Sequence, residues 1–490
     1  MRKSGILMHI SSLPGPYGIG TMGKSAYEFI DFLASSGQSY WQLLPLNPTG
    51  YGDSPYQSFS TFAGNPYLID LEQLIREGLL TKEETEAVNW GENPGRVDYH
   101  SLYENRGRIL GLACSRFIPD ADFALFVEEN GWWLEDYALF MALKERFRGK
   151  PWQEWSLSLM LRYTPVLESY RQELDAVIAR HRFMQYQFFR QWEKLHIYAR
   201  EKGVRIIGDV PIYVPLDSAD VWANQNLFRL DQNRRPVAVA GCPPDSFSAE
   251  GQLWGNPLYD WQTMAQNGYR WWLQRLGAAA KLYDVIRFDH FRGFESYWSI
   301  PAGEDTAIHG QWVQGPGKAF IDVVRNAFPD TEFIAEDLGF VTPQVRQLQE
   351  YSGYPGMKVL QFACDSREEG DYYPHNYPIN SVCYSGTHDN ATMLQWFSEA
   401  DPADVRAAES YFGLTEEEGF VRGMLRGCMQ TVSKLCIVQL QDWLALDGSA
   451  RMNVPGTLSA DNWSWRAEKN ALTEQLARRI YDQTKLYGRL

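Results

Sequence analysis

Eight short runs of apolar and β-branched residues, separated by segments long enough for helices, constrain this chain more than any other feature. They cover residues 6–13, 40–46, 204–214, 285–291, 331–337, 357–364, 381–389 and 435–444, and several end in polar side chains. Strands buried on both faces read as such near-continuous runs. The spacers 25–35, 261–281, 317–328 and 343–351 have the length of helices. Eight strands alternating with helices predict a parallel (β/α)8 barrel, whose chemistry sits at the C-terminal ends of the strands. Two intervals break the rhythm. Residues 53–200 carry Trp, Leu, Glu and Arg at helical spacing in 132–148 and 168–200, which predicts a mostly helical insertion between the second and third strands. Residues 217–260 read as a loop, rich in Gly and Pro, and long polar segments of this kind inside compact enzymes serve more often as binding loops than as idle connectors.

Composition narrows the function. A net charge of -15 and a pI near 5.1 argue against nucleic acid, whose binding depends on Lys and Arg neutralising phosphates, and weakly favour a neutral or cationic substrate. Aromatic residues reach 14%, with 18 Trp and 27 Tyr, and sugar rings present flat C–H faces that stack on such side chains. Core packing accounts for aromatic residues equally well, so composition alone does not identify carbohydrate. Cys114, Cys242, Cys364, Cys383, Cys428 and Cys436 lie far apart in sequence without a C-x-x-C or His-rich tract, so reduced thiols and no metal site are expected. The short apolar run behind Arg2 and Lys3 lacks a signal-peptide pattern, and no run approaches the roughly 20 apolar residues of a membrane span. A cytoplasmic protein without a membrane partner is expected.

The fourth run, Val285-Ile286-Arg287-Phe288-Asp289-His290-Phe291-Arg292-Gly293, carries the first chemical signal. Alternate strand residues share a face, so the Arg287 guanidinium and the Asp289 carboxylate point the same way at the strand's end. A fixed cation favours the ionised acid. Alone, such a pair is most simply a structural ion pair. A second acid stands at another strand end, in Phe333-Ile334-Ala335-Glu336-Asp337-Leu338-Gly339, and two carboxyls so placed fit glycosidic chemistry.

Six ordered blocks extend the pattern: Pro48-Thr49-Gly50-Tyr51-Gly52-Asp53-Ser54-Pro55-Tyr56-Gln57-Ser58, Gly208-Asp209-Val210-Pro211-Ile212-Tyr213-Val214, the 243–261 loop, Arg287 to Gly293, Ala335-Glu336-Asp337-Leu338-Gly339 and Gly386-Thr387-His388-Asp389-Asn390. With these blocks the chain closely resembles, almost end to end, the 4-α-glucanotransferases of glycoside hydrolase family 77, the amylomaltases or disproportionating enzymes. The resemblance implies an α-amylase-type barrel without a C-terminal β-domain. It implies Asp289 as nucleophile, Glu336 as general acid/base and Asp389 as a third acid that holds sugar hydroxyls together with His388. Arg287 keeps Asp289 charged, and Asp209 orients Arg287 or a hydroxyl, or is a purely structural carboxylate. Tyr56 and Ser54 match positions lining the central sugar site. Asp245, Phe247, Trp254 and Asn256 belong to a loop that covers the groove on the acceptor side, where Cys242 and Ser246 depart from a strict pattern and bear on acceptor preference. His290 and Asp337 are expected to face away from the acids beside them. The substrates implied are α-1,4-glucans and maltooligosaccharides, with glucose as an acceptor and no cofactor. An amylase-like hydrolase would use the same carboxylates with water, and a noncatalytic glucan-binding barrel would not need all three.

Overall fold

The computed structural model describes residues 2–50, 52–244, 248–365 and 372–490. Eight parallel strands close into a barrel: β1 (Lys3–Leu7), β2 (Tyr40–Gln42), β3 (Arg205–Pro211), β4 (Val285–Asp289), β5 (Glu332–Ala335), β6 (Gly356–Val359), β7 (Ser381–Tyr384) and β8 (Leu435–Gln439). Each strand pairs with its neighbour in sequence, and β8 returns to β1 from Lys3↔Leu435 to Leu7↔Gln439. Every strand overlaps one of the apolar runs. The runs often continue past the strand because the start of the next loop is also buried, as at Ile10, Leu13, Leu43, Leu44 and Leu46.

Helices Lys24–Ser35, Arg270–Leu282, Gly317–Ala327, Pro343–Ser352, Phe420–Gln430 and Glu474–Leu486 accompany the barrel. In the first, Phe29, Ile30 and Leu33 share one buried face, and Phe29 meets Trp41 of β2 edge-on at 5.0 Å. Each such side chain contributes roughly 1.5–3 kcal/mol by leaving water. Between β6 and β7 the described residues form only the short turns Leu360–Cys364 and Pro374–Asn376. After β8 they form helices and loops without another strand.

The interval between β2 and β3 contains the long helices Tyr99–Arg116, Ala121–Arg146 and Asp175–Glu201. The last two meet through Trp133 and Phe189, with ring centroids 5.9 Å apart, and through His181 and Glu145 at 2.8 Å. The buried Gln185 amide both donates to and accepts from the backbone of Gly64, and Gln191 does the same at Asp70. These paired bonds lock the long helix to the loop after β2. Gly64 is required there, because a Cβ would lie 2.0 Å from the Phe188 ring.

The 217–260 interval is more ordered than its composition indicates. It contains a short helix, Ala219–Ala223, and two strands, Ala238–Cys242 and Gln252–Pro257, which join Ser296–Pro301 and Gln311–Gln314 in an antiparallel side sheet. One of the glycines that read as loop signals marks a close strand contact instead. A Cβ on Gly241 would lie 2.2 Å from the Gln252 carbonyl oxygen.

Candidate active site

Strand register assembles the acids. Asp209 on β3 lies opposite Arg287 on β4, and Pro211 lies opposite Asp289. On the other side Phe288 pairs with Ala335, so Asp289 and Glu336 stand at the ends of adjacent strands. Ile286 and Phe288 anchor the outward face of β4, and Phe288 stacks on Phe333 of β5 at 5.1 Å. The intervening Arg287 and Asp289 take the opposite face.

One nitrogen of Arg287, Nη1, donates to both Asp209 oxygens at 2.7 Å and to Asp289 Oδ1 at 3.0 Å. The Asp209 side chain is 1% exposed and that of Asp289 is 28%, so Asp209 backs the guanidinium while Asp289 faces open space. Tyr56 Oη donates to Asp209 Oδ2 at 2.6 Å, and Ser54 Oγ in turn accepts the Tyr56 backbone N–H at 3.2 Å. Burial raises the pKa of Asp289 and Arg287 opposes that rise.

Glu336 is held at both oxygens: Leu338 N–H donates to Oε1 and His290 N–H to Oε2, each at 2.7 Å. His290 aims its N–H by adopting a left-handed backbone, φ 54°, which costs a β-carbon residue of order 1–3 kcal/mol. Burial raises Glu336 as well, against Arg287 and the two N–H donors. Glu336 also raises Asp289, so protons leave this pair in linked steps, the first carboxylate to ionise holding its neighbour's proton on. Asp337 turns to the scaffold and accepts the Met357 N–H at 2.6 Å.

Asp389 closes the constellation from the loop after β7. Asn453 Nδ2 donates to its Oδ1 at 2.6 Å, Arg451 binds its backbone carbonyl at 2.6 Å, and His388 Nε2 lies 3.5 Å from Oδ1. The Asp389 side chain is 44% exposed, so the carboxylate is braced but open. His388 stacks on Tyr56 at 5.0 Å with planes 18° apart, and Trp463 lies 5.8 Å from both rings. Burial lowers the His388 pKa and keeps the imidazole neutral near pH 7.

Trp254 from the side sheet meets the His290 ring edge-on at 4.9 Å, bringing that sheet to the residue that braces Glu336. Asn256 is buried two residues further along the same strand. Asp245 and Phe247 lie outside the described residues. The structure thus gathers Tyr56, Ser54, Asp209, Arg287, Asp289, Glu336, His388 and Asp389 through the contacts above. Asn453, Arg451 and Trp463 were not singled out from sequence. Their signal is position, since Arg451 and Asn453 lead into Pro455-Gly456 in the loop after β8, at the same end of the barrel as the acids. Elsewhere, Cys383 on β7, Cys436 on β8 and Cys428 on the helix Phe420–Gln430 are all buried and bring their sulfurs within 4.8 Å of one another.

Comparison with known proteins identifies the family. The profile of the family described as 4-alpha-glucanotransferase matches residues 8–473. A 4-alpha-glucanotransferase of Streptococcus pneumoniae serotype 4 is 49% identical over 494 residues, covering 100% of this chain and 98% of its own length. That of Clostridium butyricum is 48% identical over 486 residues, covering 98% and 100%. Among solved structures, an amylomaltase from Streptococcus agalactiae in complex with acarbose aligns over the full length of both chains with a TM-score of 0.97 and 41% identity. With the family profile covering nearly the whole chain and these relatives matching from end to end, the chain belongs to the 4-alpha-glucanotransferases, glycoside hydrolase family 77.

Proposed function

We propose that this 4-alpha-glucanotransferase acts on α-1,4-glucans and maltooligosaccharides by a retaining double displacement, with Asp289 as nucleophile, Glu336 as general acid/base and Asp389 as the holder of ring hydroxyls. The observation that carries the reading is the placement of Asp289 and Glu336 on adjacent strand ends, one bonded to a buried guanidinium and the other to two backbone donors. In the first step Asp289 forms a bond to the anomeric carbon as the glycosidic bond breaks, and Glu336 gives its proton to the departing 4-oxygen. In the second, Glu336 takes the proton from the 4-hydroxyl of another glucan or of glucose, that oxygen attacks the anomeric carbon, and Asp289 leaves. Retaining enzymes hold two such carboxyls about 5–5.5 Å apart. Asp389 and the neutral His388 bind hydroxyls as the ring flattens. Trp254 covers the acceptor side and limits water. The acidic charge and the lack, among the described residues, of a helix long and apolar enough to cross a membrane fit work on dissolved glucans in the cytoplasm.

Incubation with maltotriose alone tests the reaction. The expected products are glucose and a ladder of longer maltooligosaccharides with little rise in reducing ends. A large rise with no product longer than the substrate would establish hydrolysis. Glucosyl fluoride, which needs little acid assistance, tests the roles: Glu336→Gln should accumulate a glucosyl-enzyme labelled at Asp289, and a label on another acid would refute the assignment.

A further inference from the structure

The side sheet presents aromatic rings that the proposed chemistry leaves unused. Trp298 and Trp312 lie opposite each other in register and therefore on one face, with ring centroids 5.1 Å apart. Phe340, from the loop after β5, lies nearly parallel to Trp312, with planes 17° apart and centroids 6.4 Å apart. Arg292 binds the arrangement together. Its guanidinium carbon lies 3.7 Å from the Trp312 ring centroid, and it donates to the Phe340 carbonyl at 2.6 Å and to Ser296 Oγ at 3.0 Å. Arg292 is buried, so it backs Trp312 from within, while Trp312 remains 37% and Phe340 64% exposed. Large aromatic rings left open to water on a braced support are a familiar basis for recognising sugar faces.

Position ties these rings to the catalytic centre. Phe340 follows Glu336 by four residues, which limits their Cα separation to about 14 Å at full extension. Arg292 follows Asp289 by three residues, so both proposed catalytic strands lead into the patch. The acid that protonates the departing oxygen stands on the leaving-group side of the broken bond. Sugar units beyond that oxygen therefore run toward the loop that follows Glu336.

We infer that Trp312 and Phe340 form a stacking subsite for the leaving-group and acceptor portion of a long α-1,4-glucan, several sugar units from the bond that is cut. The inference rests on the assignment of Glu336 as the acid. Arg292 is a positioning residue that holds the two rings together. A short substrate ends before it reaches the patch, and a long one gains the contact.

The test compares kcat/KM for maltotriose and maltoheptaose in Phe340→Ala, Phe340→Tyr and Trp312→Ala, with melting temperature recorded for each. For both alanine variants maltoheptaose should lose about three- to tenfold, the scale of one aromatic contact, while maltotriose stays within about twofold. Phe340→Tyr keeps a ring and should retain the wild-type preference. Equal losses on both substrates in the folded Phe340→Ala protein would show that the change disturbs the Glu336 loop, and no loss on either would show that no sugar stacks there. Either result overturns the subsite. Hydrolysis of maltotriose by the wild type would instead overturn the transferase reading, and the length comparison would still decide the subsite.

Discussion

Arg287→Gln removes the cation that Asp209 and Asp289 share and leaves two carboxylates facing an amide. Opposite charges about 4 Å apart at an effective dielectric near 20 attract by about 4 kcal/mol, equivalent to about 3 pH units on the acid's titration. Arg287 lowers the Asp289 pKa against a rise caused by burial, so its loss moves that pKa further up. The nucleophile works only when ionised. The acid limb of kcat/KM should therefore move to higher pH by two to three units, with a loss of about 10²- to 10³-fold at pH 7. Glucosyl fluoride is the appropriate donor, because its chemistry places little demand on Glu336. Stability supplies a second reading. Removing one partner of a buried ion pair costs about 3–5 kcal/mol. In the variant the Asp289 carboxyl, already raised by burial and no longer opposed by Arg287, has a folded-state pKa still further above the unfolded value near 3.9, so the folded state holds an extra proton and stability falls as pH rises toward that pKa. The wild-type Asp289 pKa is itself pushed up to about 8, so the pH-dependent part of the deficit in melting temperature should be small below about pH 8 and grow above it. An acid limb that stays in place in a folded variant, or a deficit independent of pH, would refute the assignment of Arg287 as the cation that ionises Asp289.

Tyr56→Phe keeps the stack on His388 and loses the 2.6 Å bond to Asp209, so kcat/KM should fall about 10- to 100-fold with the melting temperature little changed. Asn453→Ala releases Asp389 Oδ1 and should lower kcat/KM for maltotriose about tenfold, whereas Asn453→Asp, which sets a like charge against Asp389, should lower it further. Activity equal to wild type in both would show that Asp389 needs no brace. Trp254→Ala should raise the ratio of hydrolysis to transfer while the glucosyl-enzyme still forms, and an unchanged ratio in a folded variant would count against its role as a cover.

The barrel was legible because its strands are buried on both faces, which leaves a run of apolar residues whatever the surrounding structure. Arg287 and Asp289 were legible for a related reason, since polar residues interrupting such a run at its end must have a partner or a task. The side sheet escaped because its signals are ambiguous locally. Gly241 is glycine to admit the Gln252 carbonyl, a long-range requirement that looks like turn chemistry in one dimension, and Gln311–Gln314 is too short and polar to announce a strand. Asn453 escaped because an amide in a loop carries no mark of the carboxylate it serves, 64 residues earlier in the chain. The three converging thiols were hidden in the same way, since Cys383 and Cys436 meet only through the pairing of β7 with β8.

The insertion between β2 and β3 also shapes how the chain reaches this structure. Tyr40 and Arg205, which begin the pairing of those strands, are 165 residues apart. Were that interval a featureless tether, the length-dependent entropy of joining its ends would be about 4–5 kcal/mol, only about 2 kcal/mol more than for a connection of 15 residues. Thermodynamics therefore tolerates the detour easily, but kinetics does not ignore it, because pairings of high sequence separation slow the search. The long helices form from local contacts, and once Gln185 and Gln191 dock on Gly64 and Asp70 the remaining tether to β3 is a few turns of helix. The insertion thus serves as its own splint, and substitutions at Gln185 or Gln191 should slow refolding more than their effect on equilibrium stability would indicate.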